Sequence, residues 1–333
     1  SSQKYNYMLT DYCMRISALF TVMSLSCADA CAWGFFGHQR INRLAVFCLP
    51  PEMMILYKPY LEYITVHATD PDKRRYAVAA EGARHYIDID LFDRPPYDHI
   101  PRKWADAVTR YTADSLNHNG ILPWHLERML ARLTKAFREK DLPRILQLSA
   151  ELGHYMADAH VPLHACSNHN GQFTGQEGIH ALWESRIPEL LADSQFDYWA
   201  GKAAYIREPR TFIWKVIRES GMAADTVLAC EKRLSGTFPP GRRFAYENRK
   251  GALIRTYADD YTKAYCLSMG DMVERRMKSA IAAVAAAWYT AWVNAGQPSL
   301  RELAHTTLDT GALQEMEKLQ QQWLDGKLPV REE

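Results

Sequence analysis

ELGHYMADAHVPLH at residues 151–164, followed by GIHALWE at 178–184, sets two His–carboxylate pairs at helical spacing around a further histidine. His154 and Asp158 are four apart, as are His180 and Glu184, so on a helix each pair shares one face and can chelate one ion or two adjacent ones. Such pairs are also common on solvated helices as ordinary stabilising contacts, and either alone carries little weight. Here they bracket His164, which follows Val161-Pro162-Leu163. The proline favours a helix end and can turn His164 back toward the preceding face. Imidazole with carboxylate is a donor set suited to zinc, and carboxylates can bridge two ions in a hydrolytic site.

Outward from this core the pattern is almost wholly helical. HQRINRLAVF at 38–47 spaces Ile41, Leu44 and Ala45 helically, with His38 near the first turn. Pro50-Pro51 restarts a helix through residues 53–64, and TDPDKRR follows as a turn carrying Asp70. Residues 125–140 are amphipathic, and Asp141-Leu142-Pro143 starts the helix of His154 and Asp158. Residues 166–178 read as a loop, and the Ala-rich segment 271–294 as a long packed helix with Trp288 and Trp292 in the core. The chain is therefore expected to be all-α, one multi-helix domain over 33–296, with a C-terminal helix and tail over 297–333. No internal repeat or glycine-rich phosphate loop is visible.

The order of ligand types resembles the zinc-dependent phospholipase C and S1/P1 nuclease superfamily, all-helical enzymes with three zinc ions. Members start at a mature N-terminal Trp, followed by a His, an Asp, a His, then H-x3-D-x5-H and H-x3-[DE]. This chain supplies Trp33, His38, Asp70, His85, His154-x3-Asp158-x5-His164 and His180-x3-Glu184. The resemblance implies that Asp70, His85, His154 and a bridging Asp158 hold one zinc. The Trp33 amine and carbonyl, His38 and Asp158 would hold a second, and His164, His180 and Glu184 a third. It also makes Asp70 the residue that orients or deprotonates the attacking water. Paired zinc ions suit such chemistry because they acidify a water and neutralise charge on phosphorus oxygens.

The two branches of the superfamily each match part of the chain. Trp33-x4-His38 and the fifteen-residue step from Asp70 to His85 look like the nuclease branch; there Tyr86 would stack a base and Asp88 would bond its edge. The plain alternative is that Tyr86 packs in the core and Asp88 caps a turn. Glu184 and the short loop between His164 and His180 look like bacterial phospholipase C, the side the resemblance favours. Two departures stand out. The choline-binding positions fall at Phe36, Pro71 and Gly82, and the Arg that nucleases place three residues after their Asp is Lys73 here. A non-catalytic exported zinc-binding protein is the reading from another class.

A free Trp33 amine requires cleavage before it. MRISALFTVMSLSCADACA at 14–32 has one Arg, an apolar stretch and Ala30-Cys31-Ala32 directly before Trp33, which reads as a signal peptide within a 1–32 extension. Its apolar run is shorter than a spanning helix, so no stable membrane anchor is expected. Export, to periplasm or medium, would let Cys48, Cys166, Cys230 and Cys266 form disulfides, with buried free thiols the equal alternative. The net charge of +1 gives no strong electrostatic pull toward nucleic acid, although a local basic patch remains open. Partners are thus confined to a phosphodiester substrate, phospholipid or single-stranded nucleic acid. Among the other histidines, His160 and His169 are read as surface groups.

Overall fold

The computed structural model describes residues 33–249, 251–305 and 318. The proposed leader, 1–32, and most of the C-terminal tail lie outside them. The architecture is predominantly helical. Helix α1, Gly34–Val46, buries Gly34, Gly37, His38, Ile41, Asn42, Ala45 and Val46 along one stripe. Two short helices follow, α2 at Pro51–Tyr57 and α3 at Leu61–Val66. A 3₁₀ turn at His67–Thr69 then leads into α4, Asp70–Arg74, where the sequence suggested a simple turn.

After α5 (Trp104–Tyr111) and α6 (Ala113–Asn119) come the two central helices, α7 at Leu122–Glu139 and α8 at Leu142–Asp158. Asp141 caps α8 by accepting from the Arg144 amide at 3.2 Å, and Pro143 occupies the first turn, where no donor is lost. From Leu148 to Asp158 every residue of α8 is buried, so this helix is the axis about which the others pack. The helix α12, Met272–Asn294, lies against α1, α7 and α8. Trp288 is a core residue, as its spacing suggests; its indole N–H donates to the Ser149 carbonyl at 2.9 Å while Tyr57 Oη meets Ser149 Oγ at 2.7 Å.

Helix α9, residues 179–195, is wound as a π-helix over Leu182–Arg186 and Pro188–Ala192. Pro188 explains the widening: its ring lacks an N–H and crowds the preceding turn, and the Ile187 amide reaches back five residues to the Leu182 carbonyl. The long α10, Pro209–Thr237, precedes a feature that the helical reading overlooked. β1, Phe244–Arg249, pairs antiparallel with β2, Ala252–Tyr257, and α11, Asp259–Ser268, follows. Among the described residues no helix is long and apolar enough to cross a membrane. Cys48, Cys166, Cys230 and Cys266 are all free thiols, so the disulfide alternative is not realised.

One close approach sets the distance between α1 and α8. Asn42 donates through Nδ2 to the carbonyls of Ala150, at 3.0 Å, and Ile64, at 3.3 Å, and its amide fills the space that a side chain on Gly153 would need. Asn42 is one turn beyond His38, and Gly153 is the neighbour of His154, so this contact holds two histidines together. Gly153→Ala is expected to destabilise the fold by about 1–3 kcal/mol despite alanine's better helix propensity. Chemical denaturation should show the loss as a lowered midpoint at unchanged slope.

Candidate metal centre

Helix α8 supplies His154 and Asp158, the 3₁₀ turn Pro162–Ala165 supplies His164, and α9 supplies His180 and Glu184. Helix α1 brings His38, and His85 follows the 3₁₀ turn Gly82–Arg84. All seven are buried. They and Asp72 form three groups whose donor atoms lie within 4.8 Å of one another: His38 with His154 and Asp158, Asp72 with His85 and His154, and His164 with His180 and Glu184.

Asp158 lies between two of these groups. Its Oδ1 is 3.3 Å from His38 Nε2, while its Oδ2 is 3.0 Å from His85 Nδ1 and 3.2 Å from His154 Nε2. In the third group, Glu184 Oε2 is 2.9 Å from His180 Nε2 and 3.4 Å from His164 Nε2. Donors about 2.1 Å from one tetrahedral ion sit roughly 3.4 Å apart, so these spacings fit metal coordination. His38 Nε2 and Asp158 Oδ1 are buried without a hydrogen bond, which a cation bound by both would remedy.

On His154, His164 and His85 the outward ring nitrogens are held as metal-binding histidines require. His154 Nδ1 donates to the Ala68 carbonyl at 2.8 Å, and His164 Nδ1 to the His85 carbonyl at 2.7 Å, leaving each Nε2 facing its group. His85 points Nδ1 inward, with Nε2 3.6 Å from the buried Glu81 carboxylate. Glu81 is in turn bonded by Arg84 at 2.7 Å, Arg74 at 3.3 Å and the Tyr155 hydroxyl. Trp33 is fully buried, its indole N–H on the Ala157 carbonyl at 2.8 Å and its ring 5.2 Å from Trp183. It therefore packs beside the residues preceding Asp158 and Glu184.

Asp70 is not in any of the three groups. Its carboxylate takes His67 Nδ1 at 2.5 Å and Lys73 Nζ at 3.1 Å. Asp72 stands in its place, with Oδ1 3.6 Å from both His85 Nδ1 and His154 Nε2. The physical reason is that 70–74 is helical: residues two apart point to opposite sides, so only one acid of Asp-Pro-Asp can face the histidines. Lys73 goes with Asp70, and Arg75 takes the position expected of Lys73.

Arg75, Tyr86, Asp88, His118, His169 and Phe173 line a cleft of about 610 Å³. Tyr86 is fixed by its hydroxyl on the His118 carbonyl at 3.1 Å, and Asp88 makes no capping bond to the turn it precedes. His169 is a cleft residue, 6.1 Å ring to ring from His180, rather than the surface group expected. His160 is buried, its Nδ1 on the Met156 carbonyl at 2.7 Å. No protein-family model, curated protein or solved structure matches the chain.

Burial opposes charge on His38, His85 and His154, but the balance differs. His38 is lowered, and His154 is pushed down to about 3, chiefly by desolvation. For His85 desolvation also works downward, yet hydrogen bonds with Asp158 and Glu81 outweigh it and raise the imidazole to about 9. In the metal-free protein at neutral pH, His85 therefore carries a proton that a divalent ion must displace, whereas His38 and His154 release none. Apparent affinity should climb with pH and level off above about pH 9. Titration calorimetry in buffers of different ionisation enthalpy should find about one proton released at pH 7 per ion entering the His85 group.

Proposed function

We propose that this chain is a zinc-dependent phosphodiester hydrolase with three zinc ions, of the phospholipase C and S1/P1 nuclease kind. The observation that carries the proposal is Asp158, whose two oxygens face different histidines inside one buried cluster. A structural zinc site needs no such bridge, and it is usually closed by cysteine or histidine, whereas carboxylate–imidazole groups beside a cleft leave room for water and substrate. Zinc ions held there would acidify a water and offset charge on the phosphate.

The chain's own residues divide the remaining work. Asp72, beside His85 and His154, is placed to orient the attacking water and take its proton. Arg75, lining the cleft, offers a planar fork for two phosphate oxygens, which a lysine lacks. Tyr86 and Asp88 on the cleft wall are available to the organic part of the substrate.

Glu184 and the short loop before His180 support the phospholipase C side. A second reading, cleavage of single-stranded nucleic acid, gains from the re-registered acid: Asp72-x2-Arg75 has the arginine three residues on, as in the nuclease branch. The step to His85 becomes thirteen residues, which removes the other nuclease-like spacing. Phospholipids and single-stranded oligonucleotides offered to protein beginning at Trp33 separate the two.

Asp72→Asn is expected to keep the fold and lower turnover of bis(p-nitrophenyl) phosphate by about 10²–10⁴-fold. Asp70→Asn, by contrast, should stay within about threefold of wild type, because the amide can still bond His67 or Lys73 and the residue braces the segment without facing the histidines. Equal losses in both variants would remove Asp72 from the mechanism. Asp158→Asn should reduce bound zinc by elemental analysis as well as turnover, since one carboxylate serves two groups. A zinc-replete protein with no diesterase activity, or activity indifferent to chelator, would leave the non-catalytic binding protein as the surviving reading.

A further inference from the structure

The hairpin β1–β2 is not used by the metal centre, yet it is built onto it. Arg186 lies two residues past Glu184 in the π-wound part of α9. It donates to the Tyr257 carbonyl at 3.1 Å, to Glu247 at 2.5 Å and to Asp259 at 2.6 Å. Tyr257 is buried at the hairpin base, stacked 5.7 Å from Tyr261, and its hydroxyl reaches the Glu177 carbonyl at 3.3 Å. Glu177 belongs to the loop that carries His169 and Phe173 into the cleft. The hairpin is thus rigidly rooted beside the third group of donors.

Its distal part has a different character. In the register Tyr246 opposes Arg255 and Asn248 opposes Leu253, so Tyr246 and Leu253 are diagonal neighbours on one face of the ribbon. Both stand in water, Tyr246 at 68% and Leu253 at 73% exposure. Arg255, also on this face, lies 3.6 Å over the Phe244 ring. From Arg242 to Tyr257 the sequence holds five cations against one acid, in a chain of net charge +1. Two of the cations are answered at the base, Arg242 by Asp260 and Arg243 by Glu231, and Glu247 is taken by Arg186. Arg255 stays exposed on the face of Tyr246 and Leu253, and Arg249 and Lys250 are further cations of this stretch of sequence.

We infer that this hairpin is a contact surface for an anionic lipid bilayer, seating the protein on the surface that presents its substrate. The purpose of the contact rests on the phosphodiester-hydrolase reading, while the contact itself does not. A tyrosine beside an exposed aliphatic side chain, with an arginine on the same face of a cation-rich segment, matches the layered chemistry of a headgroup region: phosphates outside, acyl boundary within. Single-stranded nucleic acid answers the charge but gives Leu253 nothing to enter.

Flotation of the zinc-loaded chain with phosphatidylcholine vesicles containing about one-third phosphatidylglycerol should show partitioning that weakens in pure phosphatidylcholine and in high salt. The double variant Tyr246→Ser/Leu253→Ser should reduce partitioning about tenfold, and Arg255→Ser about fivefold. Neither should shift the thermal midpoint or turnover of bis(p-nitrophenyl) phosphate. Wild type indifferent to anionic vesicles, or a double variant that binds them equally well, would overturn the inference. So would a hairpin that proves to bind oligonucleotides, or a second copy of the chain, in place of vesicles. If diester turnover is absent but vesicle binding and its loss in the variants persist, the hydrolase reading fails and the surface stands.

Discussion

A fully buried carboxylate set among three imidazoles is the constraint from which most of this structure follows. Removing Asp158 from water costs several kcal/mol unless its oxygens are met by positive charge or donors. His38 meets one oxygen, and His85 and His154 the other. Hydrogen bonds with Asp158 and Glu81 are why burial fails to lower His85 as it lowers His154. The geometry needs two other segments, those of His38 and His85, to converge on the last turn of α8. Close packing of α1 at Gly153, with Asn42 bonding α8 directly, makes that convergence possible.

A second layer keeps the imidazoles aimed. For three of them the inward nitrogen is fixed by what its partner nitrogen finds behind it: the Ala68 carbonyl for His154, the His85 carbonyl for His164 and the Glu81 carboxylate for His85. Glu81 is anchored by two arginines, and one of these, Arg74, also holds Glu151 at 2.5 Å. Asp70 has its own part in this layer. By tying His67 to Lys73 it braces the short segment that supplies both the Ala68 carbonyl and Asp72. The residue the sequence marked as catalytic thus supports the neighbour that faces the histidines.

How far the sequence could be read depended on whether a contact was local. The pairs His154/Asp158 and His180/Glu184 were legible because helical spacing alone sets their faces, and the structure keeps both pairs together. The choice between Asp70 and Asp72 was not, since Asp-Pro-Asp offers two equivalent acids and only the docking of α4 against α8 decides which is inside. Its one available signal was Arg75, three residues after Asp72 but five after Asp70. The hairpin was missed because its strands are short and β1 closes on the polar residues Glu247 and Asn248. The aromatics two apart in Phe244-Ala245-Tyr246, and the β-type run Leu253-Ile254 after Gly251, were the mark to follow. His160 was misplaced because exposure on an all-buried helix end depends on α12, whose Arg276 covers it with a bond to its carbonyl at 2.8 Å.

Near-neutral net charge conceals a separation that the fold creates. The acids Asp72, Glu81, Asp158 and Glu184 are all buried in or behind the donor groups, where imidazoles and guanidinium groups answer them. Charge answered within a low-dielectric interior contributes little to the field outside, so the surface is governed by what remains exposed. The hairpin is one place where exposed cations are grouped with exposed apolar side chains. It is tied to α9 by the Arg186 contacts, in the stretch that Pro188 forces to widen. A proline that disturbs a helix beside Glu184 therefore also sets where the basic ribbon is rooted. The position of the third donor group and the direction of the charged surface are fixed by the same local departure from α-helical winding.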